Sequence, residues 1–329
     1  METQHPFAKF IRTLGRGQKG SRSLSQEEAF EAMEMIMNGH VEPEQLGAFL
    51  MLIRVKEETP EEVAGFVRAV RQHIQLPNNI PMVDVDWSSY AGKRRHLPWF
   101  ILSVLLLADN GIKVFMHGLR GRKDNRIYTP AALEYLGLPI STSISAAAST
   151  LDNTNFAYLN LESLSPRLQH IIELRELLGL RSPVHTVSRM LNPFHAPCQM
   201  QGIFHPGYLE IHQGAAKLLA QPHMAVIKGD GGEIEASPDS PFKMLSVHDG
   251  ETKTEEWPEL LSTRALKPKI LELETMKLLW QGKIEHEYGQ SAVINTLAIT
   301  LYTLKKFETR ADSLERATEL WHDRSKTII

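Results

Sequence analysis

Cysteine is almost absent from this chain: Cys198 is the only one in 329 residues. An intrachain disulfide and a cysteine-built zinc site are thereby excluded. Long apolar runs are missing too. "WFILSVLLLA" and the interrupted "VINTLAITLYTL" fall well short of the roughly 20 residues that cross a bilayer. The stretch "METQHPFAKFIRTLGRG" has no apolar core of the kind a signal peptide carries. The net charge of −3 excludes a polycation. What remains, 42% apolar and 23% charged residues, is the composition of a globular protein. The expectation is a cytoplasmic protein without a membrane partner.

Glycine is scarce at one place where it is expected. "PMVDVDW" reads as a strand and "PWFILSVLLLA" as a helix, and the loop between them, "SSYAGKRRHL", occupies the position of a phosphate-binding turn. It has one glycine, Gly92, followed by Lys93, Arg94 and Arg95. A second basic loop, "HGLRGRKDNR", follows the strand-like "IKVF" and holds Arg120, Arg122, Lys123 and Arg126. Residues 88–126 carry eight Lys and Arg against Asp109 and Asp124, while the rest of the chain is acidic on balance. Loops at the carboxyl ends of neighbouring parallel strands share one crevice, which makes this a candidate phosphate groove. Taken alone, the charge run reads better as a solvated face.

Residues 1–76 read as helices. In "SLSQEEAFEAMEMIMNGH", Ser25 and Glu28 form a capping box and Asn38-Gly39 a stop. Thr59-Pro60 opens another helix with Val63, Phe66, Val67 and Val70 on one side. From residue 77 to 329, strand-like runs ("IKVFMHG", "FAYLNLE", "HMAVIKG", "FKMLSVHD") alternate with helices. This predicts an α/β domain with a central mixed, mostly parallel sheet beside a small helical domain. A helix over 165–182 is expected to pack on the helical domain. "NPFHAPCQMQG" reads as a loop, and Cys198 within it carries no nucleophile signature.

The helical start, "HGLR" after a strand, the "LRELLGLRS" helix and the following "LNPF" resemble the anthranilate phosphoribosyltransferase family, which shares its architecture with the pyrimidine nucleoside phosphorylases. The resemblance implies that fold, a homodimer, and an ancestral site for phosphoribosyl pyrophosphate and magnesium. The family's "GTGGD" loop falls on Ser88-Ser89-Tyr90-Ala91-Gly92, with the aspartate lost. Its "NIST" segment falls on Pro98-Trp99-Phe100-Ile101, which offers no oxygen ligand, and "KHGNR" on Met116-His117-Gly118-Leu119-Arg120. The anthranilate-binding arginine corresponds to Arg175, and the acidic metal turn to Gly231-Gly232-Glu233-Ile234. His117, Arg120, Arg175 and Glu233 are therefore the remnants of a catalytic site. The stretches "LGRGQKGSRSL", "SYAGKRR" and "LRSPVHT" are similar to a YbiB-like branch that binds DNA.

Transfer from phosphoribosyl pyrophosphate needs a hard cation held by oxygens, and most of those oxygens are absent. The favoured expectation is a nucleic-acid-binding protein, without a cofactor, that prefers single-stranded DNA. Its phosphate contacts would be Lys93, Arg94, Arg95, Arg120, Arg122, Lys123, Arg126 and Arg189, with Tyr90, Arg16 and Lys19 as further candidates. Tyr90, Trp99 and Tyr128 are stacking candidates, Trp99 reading better as core. The alternative is a phosphoribosyltransferase using magnesium; a small-anion sensor is a third reading.

Overall fold

The computed structural model describes residues 4–17, 19–121 and 125–327. Four helices open the chain: α1 (Ala8–Gly15), α2 (Gln26–Met37), α3 (Pro43–Lys56) and α4 (Pro60–Gln72). Local chemistry sets their starts. Ser25 and Glu28 complete a capping box on α2, and Thr59 and Glu62 another on α4. Glu62 is buried, and its second oxygen accepts the Leu24 N–H at 2.8 Å, so one carboxylate ties the start of α4 to the approach to α2.

The sheet contains β1 (Val85–Ser89), β2 (Val114–Gly118), β3 (Phe156–Asn160), β4 (Cys198–Ile203), β5 (His223–Lys228), β6 (Phe242–His248) and β7 (Glu251–Trp257). Their order is β3-β2-β1-β4-β5-β6-β7. β1 to β5 run parallel, and β6 and β7 form an antiparallel hairpin at one edge. The sheet is thus mixed and mostly parallel, beside a small helical domain. One of its faces is buried by α5 (Phe100–Asp109) and the long helix Glu287–Thr303. The other continues into the core of the helical domain through Val63, Phe66, Leu168, Ile171 and Val187.

Two sequence expectations change, and one strand is added. Residues 192–202 are not all loop: Cys198–Ile203 is β4, the strand beside β1 in mid-sheet. Its odd reading comes from Gln199 and Gln201, whose amides are buried in a polar chain rather than solvated. β7, seven residues of which six are polar, is an edge strand whose charges are exposed except for Glu255. The helix expected over 165–182 is divided into Pro166–Glu173 and Arg175–Leu178, and ends at Gly179 in the left-handed region. It does pack on the first domain: the Arg167 Nε donates to Ile36 O, and Leu178 faces Gly47.

Candidate functional site at the switch point of the sheet

The strand order reverses between β1 and β4. The chain leaving β1 enters α5 on one face of the sheet, and the chain leaving β4 enters the helix Leu209–Leu218 on the other. Such a divergence opens a crevice outside the carboxyl ends of the two strands, the usual ligand position of an open α/β sheet. Three segments meet there: the loop after β1, the loop after β2, and the turn after β5.

The first two are joined directly. Lys93 and Ile127 form an antiparallel bridge, and the Arg126 guanidinium donates to the carbonyls of Ala91 (2.9 Å) and Gly92 (3.1 Å). The two basic loops therefore line one place, as their strand positions require. The third segment fills it. Glu233, 1% exposed, accepts the N–H groups of Ala91 and Gly92 on a single oxygen, both at 2.6 Å. Two residues on, Glu235 accepts the Lys93 ammonium at 2.6 Å and the Phe100 N–H, first in α5, at 2.9 Å. Asp230 lies 3.4 Å from the same ammonium. Close approach of this turn needs glycine. At Gly231, φ is +72°, and a Cβ there would lie 2.5 Å from the Gly92 carbonyl oxygen.

Lys93 is therefore not a surface phosphate contact. It is 1% exposed and held between two carboxylates. Burial works to lower its pKa, and Glu235 and Asp230 outweigh burial, so the pKa is raised and the ammonium stays charged. Tyr90 is likewise no stacking platform. It is buried, its hydroxyl lies 2.6 Å from His117 Nδ1, and burial drives its pKa well up. His117 in turn faces Asp86, which accepts from the Gln199 amide, and Gln199 accepts from Gln201, the partner of His212. This chain of buried polar groups crosses three strands and satisfies most of its own donors and acceptors. His117 is one of its links, with no exposed surface for a substrate. Arg189 is also buried: it donates to Gly202 O and His185 O, and its guanidinium lies 5.7 Å from the Tyr90 ring centroid. Trp99 is core. Cys198 is buried in β4, which pushes its thiol pKa up.

Other candidates do reach solvent. Arg94, Arg95 and Arg120 are exposed, Arg120 at 3.5 Å from Glu134. Arg16 and Lys19 are exposed on the loop between α1 and α2, in the other domain. Arg122 and Lys123 lie outside the described residues. Arg175 is half-buried.

A cationic crevice emerges that sequence reading assembled only in part. Arg181 is pushed down to a pKa of about 10, first by burial and then by the charges of Arg189, Arg175 and Arg126. His185 is pushed down to about 3 by burial, Arg181 and Arg189. Tyr128 sits among Arg126, Arg181 and Arg175, its ring half-buried against Gly92 and Gly121. From Arg181 the crevice continues into a cavity of about 90 Å³ under the helical domain, bounded by Arg54, His185, Phe204 and Tyr208. The Arg54 guanidinium donates to the Tyr208 hydroxyl at 2.7 Å. Arg54 and Tyr208 were not legible as site residues, because they lie 154 positions apart and neither belongs to a basic run.

These features suit an anion on the rim and exclude one from the floor. A magnesium ion does not fit the floor either, since Asp230, Glu233 and Glu235 already serve Lys93 and the backbone amides. Among the described residues, no group of three or more His, Cys, Asp or Glu side chains is arranged to hold a metal, and no helix is long and apolar enough to cross a membrane.

Comparison with known proteins places the architecture. Residues 8–74 match the helical bundle domain of a glycosyl transferase family, and residues 101–324 match the α/β domain of that family. An anthranilate phosphoribosyltransferase of Oleidesulfovibrio alaskensis is 30% identical over 247 residues, 75% of this chain and 73% of that protein. One of Burkholderia ambifaria is 27% identical over 309 residues, 91% and 89% of the two chains. Among solved structures, the anthranilate phosphoribosyltransferase of Thermus thermophilus superposes with a TM-score of 0.78 at 22% identity, covering 97% of this chain and 94% of that one. The Saccharomyces cerevisiae enzyme in complex with PRPP and Mg gives 0.75 at 16% identity, with the same coverage. With both domain matches and the sequence of relatives in agreement, this chain belongs to the glycosyl transferase family that includes the anthranilate phosphoribosyltransferases.

Proposed function

We propose that this chain binds single-stranded nucleic acid along the cationic crevice and does not transfer phosphoribosyl groups. The observation that carries the reading is the grouping of Arg126, Arg175 and Arg181 around Tyr128, above a floor closed by Glu233. A row of arginines with a half-exposed aromatic ring suits a ligand that repeats phosphate and base, because phosphates are attracted by the charge and bases stack on the ring. Exposed Arg94, Arg95 and Arg120 extend the charge along the rim. Arg189 and Lys93 contribute field and framework rather than contact. Binding of this kind tolerates sequence. The measurement is fluorescence anisotropy with a labelled single-stranded oligonucleotide over a salt series; absence of binding at low salt would reject the reading.

The relatives favour a second reading, phosphoribosyl transfer to anthranilate or a similar acceptor. It is supported by 30% identity to an anthranilate phosphoribosyltransferase across most of the chain. Arg175 would then face the acceptor. The closed floor and the engaged carboxylates weigh against it. Consumption of anthranilate with phosphoribosyl pyrophosphate and magnesium is the test, and turnover at an enzymic rate would establish this reading.

We further propose a homodimer formed through the helical domain. An apolar groove there, bounded by Val41, Pro43, Leu46, Leu174 and Leu177, lies open, with Leu177 83% exposed. Light scattering should return twice the 37.2 kDa chain mass.

A further inference from the structure

We infer that the turn over residues 229–235, together with Lys93 of the loop after β1, is a built-in substitute for a phosphate ligand and its cation, and that it keeps small free phosphates off the floor of the switch-point crevice. Two successive N–H groups, those of Ala91 and Gly92, converge on one oxygen, which is how a loop receives a phosphate oxygen. That oxygen is Oε1 of Glu233, at 2.6 Å from both. The amino end of α5 is a second anion position, and Glu235 occupies it at 2.9 Å from the Phe100 N–H. Between the two carboxylate-bearing segments lies the Lys93 ammonium, 2.6 Å from Glu235 and 3.4 Å from Asp230. A divalent ion would need those same oxygens. Each anion position and the cation position is thus taken by a side chain of the protein itself.

The substitute is firmly held. It is tethered to its own site, so its effective concentration is far above that of a dissolved ion. A Cβ on Gly229 would lie 1.6 Å from the Glu233 carbonyl oxygen, and one on Gly202 would lie 2.2 Å from the Glu233 carbonyl carbon, so the backbone of the turn is packed directly on its neighbours. The second oxygen of Glu233 is buried with no hydrogen-bond partner among the described residues, so an incoming phosphate would meet a carboxylate oxygen there and not a donor. Pyrophosphate, mononucleotides and phosphoribosyl pyrophosphate therefore do not compete at this loop, whatever the crevice above it binds. The inference stands apart from the nucleic-acid reading, since it concerns the floor and not the arginine rim.

The test uses the full-length protein and inorganic pyrophosphate, with and without magnesium, followed by calorimetry and thermal melting. In wild type, millimolar pyrophosphate should leave the amide resonances of Ala91 and Gly92 in place, whatever the arginine rim binds. Glu233→Ala empties the nest and should bind pyrophosphate at least about tenfold more tightly than wild type. Glu233→Gln, which keeps an oxygen between the two N–H groups, should stay closed. Movement of both amide resonances in wild type, or a folded Glu233→Ala protein that binds no better, would overturn the inference. If Glu233→Ala does not fold, the amide resonances of Ala91 and Gly92 in wild type decide. They should stay in place as pyrophosphate is added, and movement of both would sink the idea.

Discussion

The Lys93 ammonium and the Glu235 carboxylate stand 2.6 Å apart with both side chains out of solvent. A lysine followed by two arginines thus turns inward while Arg94 and Arg95 face water. The pair decides how the basic loop behaves, because it fastens the loop to the turn after β5 and leaves only its outer cations available.

Removing one member of a buried pair strands the other. Lys93→Met should destabilise the fold by about 3–5 kcal/mol, because Glu235 and Asp230 lose their buried counter-charge. Lys93→Met combined with Glu235→Leu should recover much of that loss, giving a large coupling term in a double-mutant cycle. Arg94→Ala, one residue away, should change stability by no more than about 0.5 kcal/mol. Urea denaturation of these variants beside wild type checks this; equal effects for Lys93 and Arg94 would contradict the buried pair.

Stability should fall as the solution is acidified through the histidine range. His212 and His185 are held at about 3, chiefly by burial, against an ordinary value of 6.5. Between those values the unfolded chain takes up protons that the folded chain refuses. Their contribution is complete above pH 6.5 and is lost as pH drops toward 3. At about pH 5 each such group costs about 2 kcal/mol relative to neutral solution. Melting curves from neutral to acid should show the decline, and His212→Gln should flatten it.

If the crevice binds single strands, log K should fall with log salt by about 0.7 per phosphate contacted. Replacing Arg94, Arg95 and Arg175 together by Ala should reduce that slope by about two phosphates' worth. Lys305 and Lys306 follow the helix Glu287–Thr303 near Tyr302 and His248, at the amino edge of β5, and their replacement should leave the slope unchanged. Equal losses in both variants would mean diffuse attraction instead of a crevice.

Tyr128 and Tyr90 should separate binding from folding. Tyr128→Ala should weaken single-strand affinity by roughly 1–3 kcal/mol with a small change in melting. Tyr90→Phe should leave affinity alone and cost about 1–3 kcal/mol of stability, because His117 Nδ1 loses its buried partner. Reversal of the two patterns in anisotropy and melting data would move the ligand from Tyr128 to Tyr90.

Much of the fold was legible in local pattern. The capping boxes at Ser25 and Thr59 and the apolar runs at β2, β3, β5 and β6 stand where spacing places them. β4 escaped because Gln199 and Gln201 look solvated until the buried polar chain from Tyr90 to His212 is known. β7 escaped because an edge strand needs no apolar alternation on its outer side. The site was legible as a place, two basic loops at one sheet edge, and not as a set of side-chain roles. Lys93 is separated from Glu235 by 142 positions, and nothing near it in sequence distinguishes it from Arg94. Roles that depend on a partner so far along the chain are set by topology, not by neighbours.

The interlocked floor also bears on descent. Lys93, Asp230, Glu233 and Glu235 each answer a charge or an amide supplied by the others or by the loop. Restoring a glycine, a metal-binding carboxylate or an open nest one substitution at a time would pass through forms with a stranded interior charge and lower stability. A floor closed in this way therefore works as a ratchet: single substitutions on the arginine rim leave its interior pairs intact, while each step toward an open site disturbs one of them.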